Sequence, residues 1–280
     1  MSAKRIKSVS KKFGYPDNKR DKDIDDTIEK IQNIRWEGDE EEGKLVATDA
    51  IWEEVLEKYP EWGTVNYLYI KFIKGDLYSS PLHLGPLNLD TQKQGVKDLI
   101  TINRLGFQTV DSQPGVCTDF VNPFNKRSGK ERQRQYVVGY LPCIYLEKFL
   151  RNLGEYDVAY DVFDGHGNRI VEHFPEWTRE KHDNLDFGRY NDDVLPLTIS
   201  KFDDEDMWTV ETKMSMHGTP FDSSDDFGPF YVTKFDGFPK IEAFHKWIVD
   251  NTVFIEIVAR EFCKPNILDK ILIDSLTENF

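Results

Sequence analysis

Long apolar runs are what this chain lacks most plainly. No stretch of its 280 residues approaches the ~20 needed to cross a bilayer as a helix. The opening MSAKRIKSVSKKFGYP also has no apolar segment of the secretory kind, so an intracellular, cytoplasmic protein without membrane attachment is expected. Cysteine is scarce. Cys117, Cys143 and Cys263 form an odd, widely spaced trio with no C-x-x-C pair. That pattern indicates neither a disulfide framework nor a structural zinc site, and reduced thiols are expected. Positive charge is short as well: 36 Lys and Arg stand against 50 Asp and Glu, a formal net charge of -14. A folded body of that sign is ill suited to wrap nucleic acid, which demands clustered cations.

Most catalytic signatures are missing too. There is no G-x-x-x-x-G-K-S/T phosphate loop, no G-x-G-x-x-G after a strand, no G-x-S-x-G elbow and no H-E-x-x-H. DGHGN at 164–168 lacks the regular ligand series of a calcium loop and reads as a hairpin turn. His166, His173 and His182, with Asp183 and Asp186, fit no single helical or strand face, so no metal site is assigned. The acidic runs DDED at 203–206 and DSSDD at 222–226 read as solvated loops. No catalytic residue is assigned.

What is present suits a globular protein: 39% hydrophobic and 13% aromatic residues for a core, 31% charged residues for its surface. Residues 1–20 carry Lys4, Arg5, Lys7, Lys11, Lys12, Lys19 and Arg20 and read as a basic, disordered arm, the one part suited to nucleic acid or an acidic partner. A helical extension follows over 21–61, with helices in DIDDTIEKIQNIRW and ATDAIWEEVLEKY, the second capped by Asp49. The main domain spans 62–280. Its β-branched and aromatic run TVNYLYIKFIKG predicts a strand from Val65 to Ile73.

In GVKDLITINRL, apolar residues at near-helical spacing are followed by Gly106, where a left-handed cap would sit, and FQTV opens a strand that ends in Ser112, Gln113, Pro114 and Gly115. RQRQYVVGYLP and IYLEKFLRNLG read as helices around Pro142, and YDVAYDVFDGHGNRIVEHF as a hairpin. IEAFHKWIVDN reads as a helix, VFIEIVA as a strand and NILDKILIDSL as a final amphipathic helix, while the acidic middle from Glu176 to Asp226 has no clear pattern. Strands interleaved with helices indicate a mixed α/β (α+β) fold, sheets flanked by helices.

INRLGFQTVDSQPG at 102–115, followed by RQRQYVVGYLP, resembles the C-terminal regulatory domain of eukaryotic methylenetetrahydrofolate reductases, where an N-R-x-G-x-x-T-x-x-S-Q-P block precedes a Gln-containing helix. TVNYLYIKFIKGD, LEKFLRNLGEYDVAYDVFDGHGN and WIVDNTVFIEIVAREF are similar to further blocks of that domain, in the same order. The resemblance covers about 62–280, strongest at Asn103–Pro114 and in the final 34 residues.

It implies the regulatory-domain fold standing alone, since the chain is too short to hold the family's flavin-dependent barrel and its first 61 residues resemble neither that barrel nor the family linker. It also implies non-catalytic binding, for sensing or sequestration, of S-adenosylmethionine or S-adenosylhomocysteine. Four residues match the family's ligand contacts: Asp90, where the family has Glu, with Thr91, Thr109 and Ser112. A carboxylate suits ribose hydroxyls or a cationic centre, and hydroxyls suit an amino-acid group. Three of the four also have a local alternative: Asp90 as a helix cap, Thr109 and Ser112 as strand-end and turn partners. Related enzymes are dimers, which makes a homodimer an expected partner. Two rival functions stay open, a protein-interaction module that kept the fold and lost the ligand, and an enzyme acting on an adenosyl nucleoside.

Overall fold

The computed structural model describes residues 17–34, 39–80, 96–179, 185–186, 194–215 and 249–277. The fold is mixed α/β. Helices α1 (Asn18–Gln32), α2 (Glu40–Lys58), α3 (Trp62–Ile73) and α4 (Val96–Arg104) lead into strands β1 (Gln108–Gln113), β2 (Cys117–Val121) and β3 (Ser128–Pro142). A short 3-10 turn at Cys143–Tyr145 then enters α5 (Leu146–Leu153), followed by β4 (Val158–Phe163), β5 (Arg169–His173), β6 (Leu185–Asp186), β7 (Val194–Phe202), β8 (Trp208–Ser215), β9 (Thr252–Phe262) and α6 (Ile267–Thr277). No helix among the described residues is long and apolar enough to cross a membrane.

Two expected elements change type. Residues 65–73, expected as a strand, belong to the helix α3, in which every residue but Lys71 is buried. Its β-branched and aromatic side chains satisfy a β preference, but a run buried on nearly every side carries little periodicity, and packing all round decides in favour of a helix that bonds its own backbone. Trp62 Nε1 donates to the Gly106 carbonyl at 2.9 Å, and Tyr69 Oη to the Val110 carbonyl at 3.3 Å, fixing α3 beside β1.

RQRQYVVGYLP, expected as a helix, is the C-terminal part of β3, the longest strand. Gly139 is needed there, because a Cβ would lie 2.2 Å from the Gln108 carbonyl oxygen across the β1–β3 ladder.

β3 organises the sheet. Its C-terminal half pairs with β1 and β9, its N-terminal half with β2 and β7, and the β3–β9 register slips between Arg134 and Tyr136. The nine described strands follow the order β5-β4-β9-β3-β7-β8-β6, with β1 and β2 on β3, antiparallel except for the β6–β8 pair. At the slip, Arg134 is buried: Nε donates to the Pro196 carbonyl at 3.0 Å, and the guanidinium lies 4.0 Å from the Phe262 ring centroid. The one sheet face that carries Val137, Ile255, Ile257, Tyr160 and Val162 joins the helices in the main core. Ala159 and Val258, on the opposite face, belong to a smaller cluster with Trp177 and Leu195.

Three further expectations are corrected. α1 begins at Asn18, inside the expected arm, and Arg20 is buried, paired at 2.8 Å with both Asp21 and Glu61, because a guanidinium held by two carboxylates can be taken from water. Lys4 to Lys12 lie outside the described residues. α2 starts well before Asp49: Asp39 is its N-cap and accepts the Glu42 N–H at 2.9 Å, and Glu40, Glu41 and Glu42 face the positive end of the helix dipole. Cys117 and Cys263 are joined in a disulfide across a Cα separation of 5.1 Å, leaving Cys143 as the free, exposed thiol. Pairing of cysteines this far apart in sequence is set by the sheet, which brings the start of β2 to the end of β9.

Candidate functional site

The α4–β1 corner is built as its sequence requires. Gly106 takes φ 96°, the left-handed conformation that closes α4, and β1 begins two residues later. Asn103, the last buried residue of α4, then locks the corner. Its Nδ2 donates to Thr109 Oγ1 at 2.8 Å and to the Leu99 carbonyl at 2.9 Å, while its Oδ1 accepts the Thr109 N–H at 3.3 Å.

A β-bulge follows. Thr109 is opposite Gly139 and Ser112 opposite Val137, with the register slip between Thr109 and Asp111. Residues three apart in a regular strand point to opposite faces; the bulge returns Thr109 and Ser112 to the same one. Asp111 turns to the other face, where Tyr136 Oη donates to its carboxylate at 3.0 Å. The environment separates the two hydroxyls. Thr109 is buried and engaged by Asn103, whereas Ser112 is half-buried at the end of the strand. Asp90 and Thr91, the other two expected contacts, lie outside the described residues.

The loop after β1 is tied down by main-chain bonds. Gln133 N–H donates to the Val116 carbonyl at 2.9 Å and the Gln133 carbonyl accepts the Cys263 N–H at 3.0 Å, beside the Cys117–Cys263 bridge. A Cβ on Gly115 would lie 2.5 Å from the Lys264 carbonyl oxygen, so only glycine fits that approach. Gln135 Oε1 accepts the Leu268 N–H at 2.8 Å, which gives one of the unpaired amides opening α6 a partner. Gln133 and Gln135 of RQRQ therefore serve the junction of β1, β3, β9 and α6, while Arg134 ties β3 to β7.

A second polar group occupies the opposite face of the same sheet and was not anticipated. Asp111, Val138, Glu256, Asp161 and Glu172 stand side by side in one row across β1, β3, β9, β4 and β5. Asp161 is fully buried and Glu256 is nine-tenths buried. Arg169 reaches Asp161 Oδ2 at 2.8 Å and Glu172 at 3.3 Å. Burial, opposed by Arg169, raises the Asp161 carboxyl to about 7; burial together with the charge of Asp161 raises Glu256 to about 8. The signal was a lone acid inside each of two apolar strands, VAYDVF and VFIEIVA, but only the register shows that they meet.

Other polar features have local roles. Asp164 Oδ1 accepts the N–H groups of His166 and Asn168, each at 2.9 Å, closing the β4–β5 hairpin turn with Gly167 at φ 81°. His173 stacks on Tyr160 with ring centroids 4.9 Å apart. Arg127 pairs with Asp204 and, at 3.0 Å, with Glu205, which joins the β2–β3 hairpin to the β7–β8 turn. His182, Asp183 and the DSSDD run lie outside the described residues.

Residues 57–167 match a domain of unknown function, DUF6919. The matched segment runs from the end of α2 to the β4–β5 turn and contains the whole α4–β1 corner. A comparison with curated proteins found no match.

Proposed function

We propose that this chain is a non-catalytic binding module for S-adenosylmethionine or S-adenosylhomocysteine, with the end of β1 as part of the site. The observation that supports this reading is the bulge in β1. It puts the two hydroxyls of the T-x-x-S motif on one face, one engaged in fixing the corner and the other free of a described hydrogen-bond partner at its rim. A rigid corner that presents a half-buried hydroxyl needs little reorganisation to hold a small polar ligand. Thr109 positions the strand and Ser112 meets the ligand, with Asp90 and Thr91 completing the set from the segment that leads into α4. The blocks that resemble the reductase regulatory domain also adjoin one another: β1 pairs with β3, β3 with β9, and β9 with β4. Equilibrium dialysis of the purified chain against labelled S-adenosylhomocysteine tests the reading. Retention of the nucleoside supports it, and equal label on both sides at millimolar concentration rejects it.

A further inference from the structure

The β4–β5 hairpin joins the sheet along one seam. β5 pairs with β4 alone in the strand order, and β4 pairs with β9 from Val158↔Ala259 to Phe163↔Phe254. At the middle of that seam Asp161 faces Glu256. Side chains directly opposite in an antiparallel pair have Cβ atoms ~5 Å apart, and like charges at that distance repel.

The groups around them do not neutralise both. On β5, Arg169 supplies one guanidinium, shared with Glu172. On β3, Val138 is apolar and Tyr136 donates its hydroxyl to Asp111 of β1. Asp161 Oδ1 is buried with no hydrogen-bond partner, and no described side-chain hydrogen bond reaches the carboxyl of Glu256, itself nine-tenths buried. Buried polar atoms are satisfied almost without exception, and a buried carboxylate with neither cation nor donor takes up a proton.

We propose that Asp161 and Glu256 hold one proton between them near neutral pH, and that this proton fastens the β4–β5 hairpin to β9, making the seam a pH-sensitive joint. With the proton bound, one carboxyl is neutral and the remaining charge is answered by Arg169. When it leaves to solvent, two carboxylates face each other in a dry seam and the joint loosens.

The sign follows from where the proton binds more tightly. Unfolded carboxyls titrate near 4, while the folded pair is raised to about 7 and about 8. Proton uptake therefore favours the folded chain. Its contribution is complete below the unfolded values and is lost as pH rises through the folded ones.

The test uses the full chain and Glu256→Gln, which keeps the shape of a protonated Glu and cannot ionise. Wild type should lose a few degrees of Tm between about pH 6 and about pH 9. Over the same range its amides at 158–163 should lose protection from hydrogen exchange beyond the intrinsic change with pH. Glu256→Gln should flatten both trends and be the more stable protein at the alkaline end. Parallel decline of variant and wild type overturns the proposal. If the variant does not fold, infrared spectra of wild type decide: a protonated-carboxyl band at about pH 6 that vanishes by about pH 9 supports it, and no such band at the lower pH overturns it.

Discussion

Asn103 and Thr109 bond to each other twice, side chain to side chain at 2.8 Å and side chain to backbone at 3.3 Å, across the Gly106 corner between α4 and β1. Both residues are buried, so neither can exchange its partner for water. Asn103→Ala and Thr109→Val should each lower stability by about 1 to 3 kcal/mol, because each leaves a buried polar group unsatisfied. The double variant should cost less than the sum, as members of one bonded pair are not additive. Denaturant unfolding of the four proteins measures the coupling. Ser112→Ala, made at a half-buried hydroxyl, should unfold close to wild type in the same series.

Gly139 sits where β1 and β3 approach most closely, and a methyl group there would meet the Gln108 carbonyl at 2.2 Å and the Phe107 ring at 2.4 Å. Backbone must move to admit it, so Gly139→Ala should destabilise by about 1 to 3 kcal/mol or more. A thermal melt checks this, and an unchanged Tm contradicts the β1–β3 register.

The Cys117–Cys263 bridge predicts a thiol count. Of three cysteines, one, Cys143, should react with a thiol reagent in the denatured, unreduced protein. Three reactive thiols in oxidatively prepared protein contradict the bridge. Cys117→Ser should cost about 2 to 4 kcal/mol under those conditions, since the link closes a long loop, and reductant should remove the difference from wild type.

Much of this architecture is legible in the sequence where local chemistry has one solution. Gly106 after an apolar stripe marks the end of α4, DGHGN between alternating runs marks the β4–β5 turn, and VFIEIVA and NILDKILIDSL form β9 and α6 as their patterns direct. Legibility fails where neighbours decide. Helix α3 is buried on nearly all sides, so no clear period distinguishes it from a buried strand. RQRQ contains good helix formers, yet Gln133, Arg134 and Gln135 are held by Val116, Pro196 and Leu268, residues distant in the chain. The Cys117–Cys263 pair spans 146 residues. In the candidate site, the T-x-x-S spacing is visible, but the bulge that aligns its hydroxyls belongs to the β1–β3 ladder, and the facing of Asp161 and Glu256 belongs to the β4–β9 register.

The most direct test of the binding account is calorimetric titration of the full chain with S-adenosylmethionine and, separately, S-adenosylhomocysteine, on wild type, Ser112→Ala and Asp90→Ala. Saturable binding is expected with wild type, and ligand at 100 times its Kd should add about 2.7 kcal/mol of stability. Each substitution should weaken binding about tenfold or more, the loss expected for one hydrogen bond to a charged group, while the unliganded variants stay folded. Absence of binding heat and of any Tm shift with either nucleoside at millimolar concentration, in well-folded wild-type protein, contradicts the account.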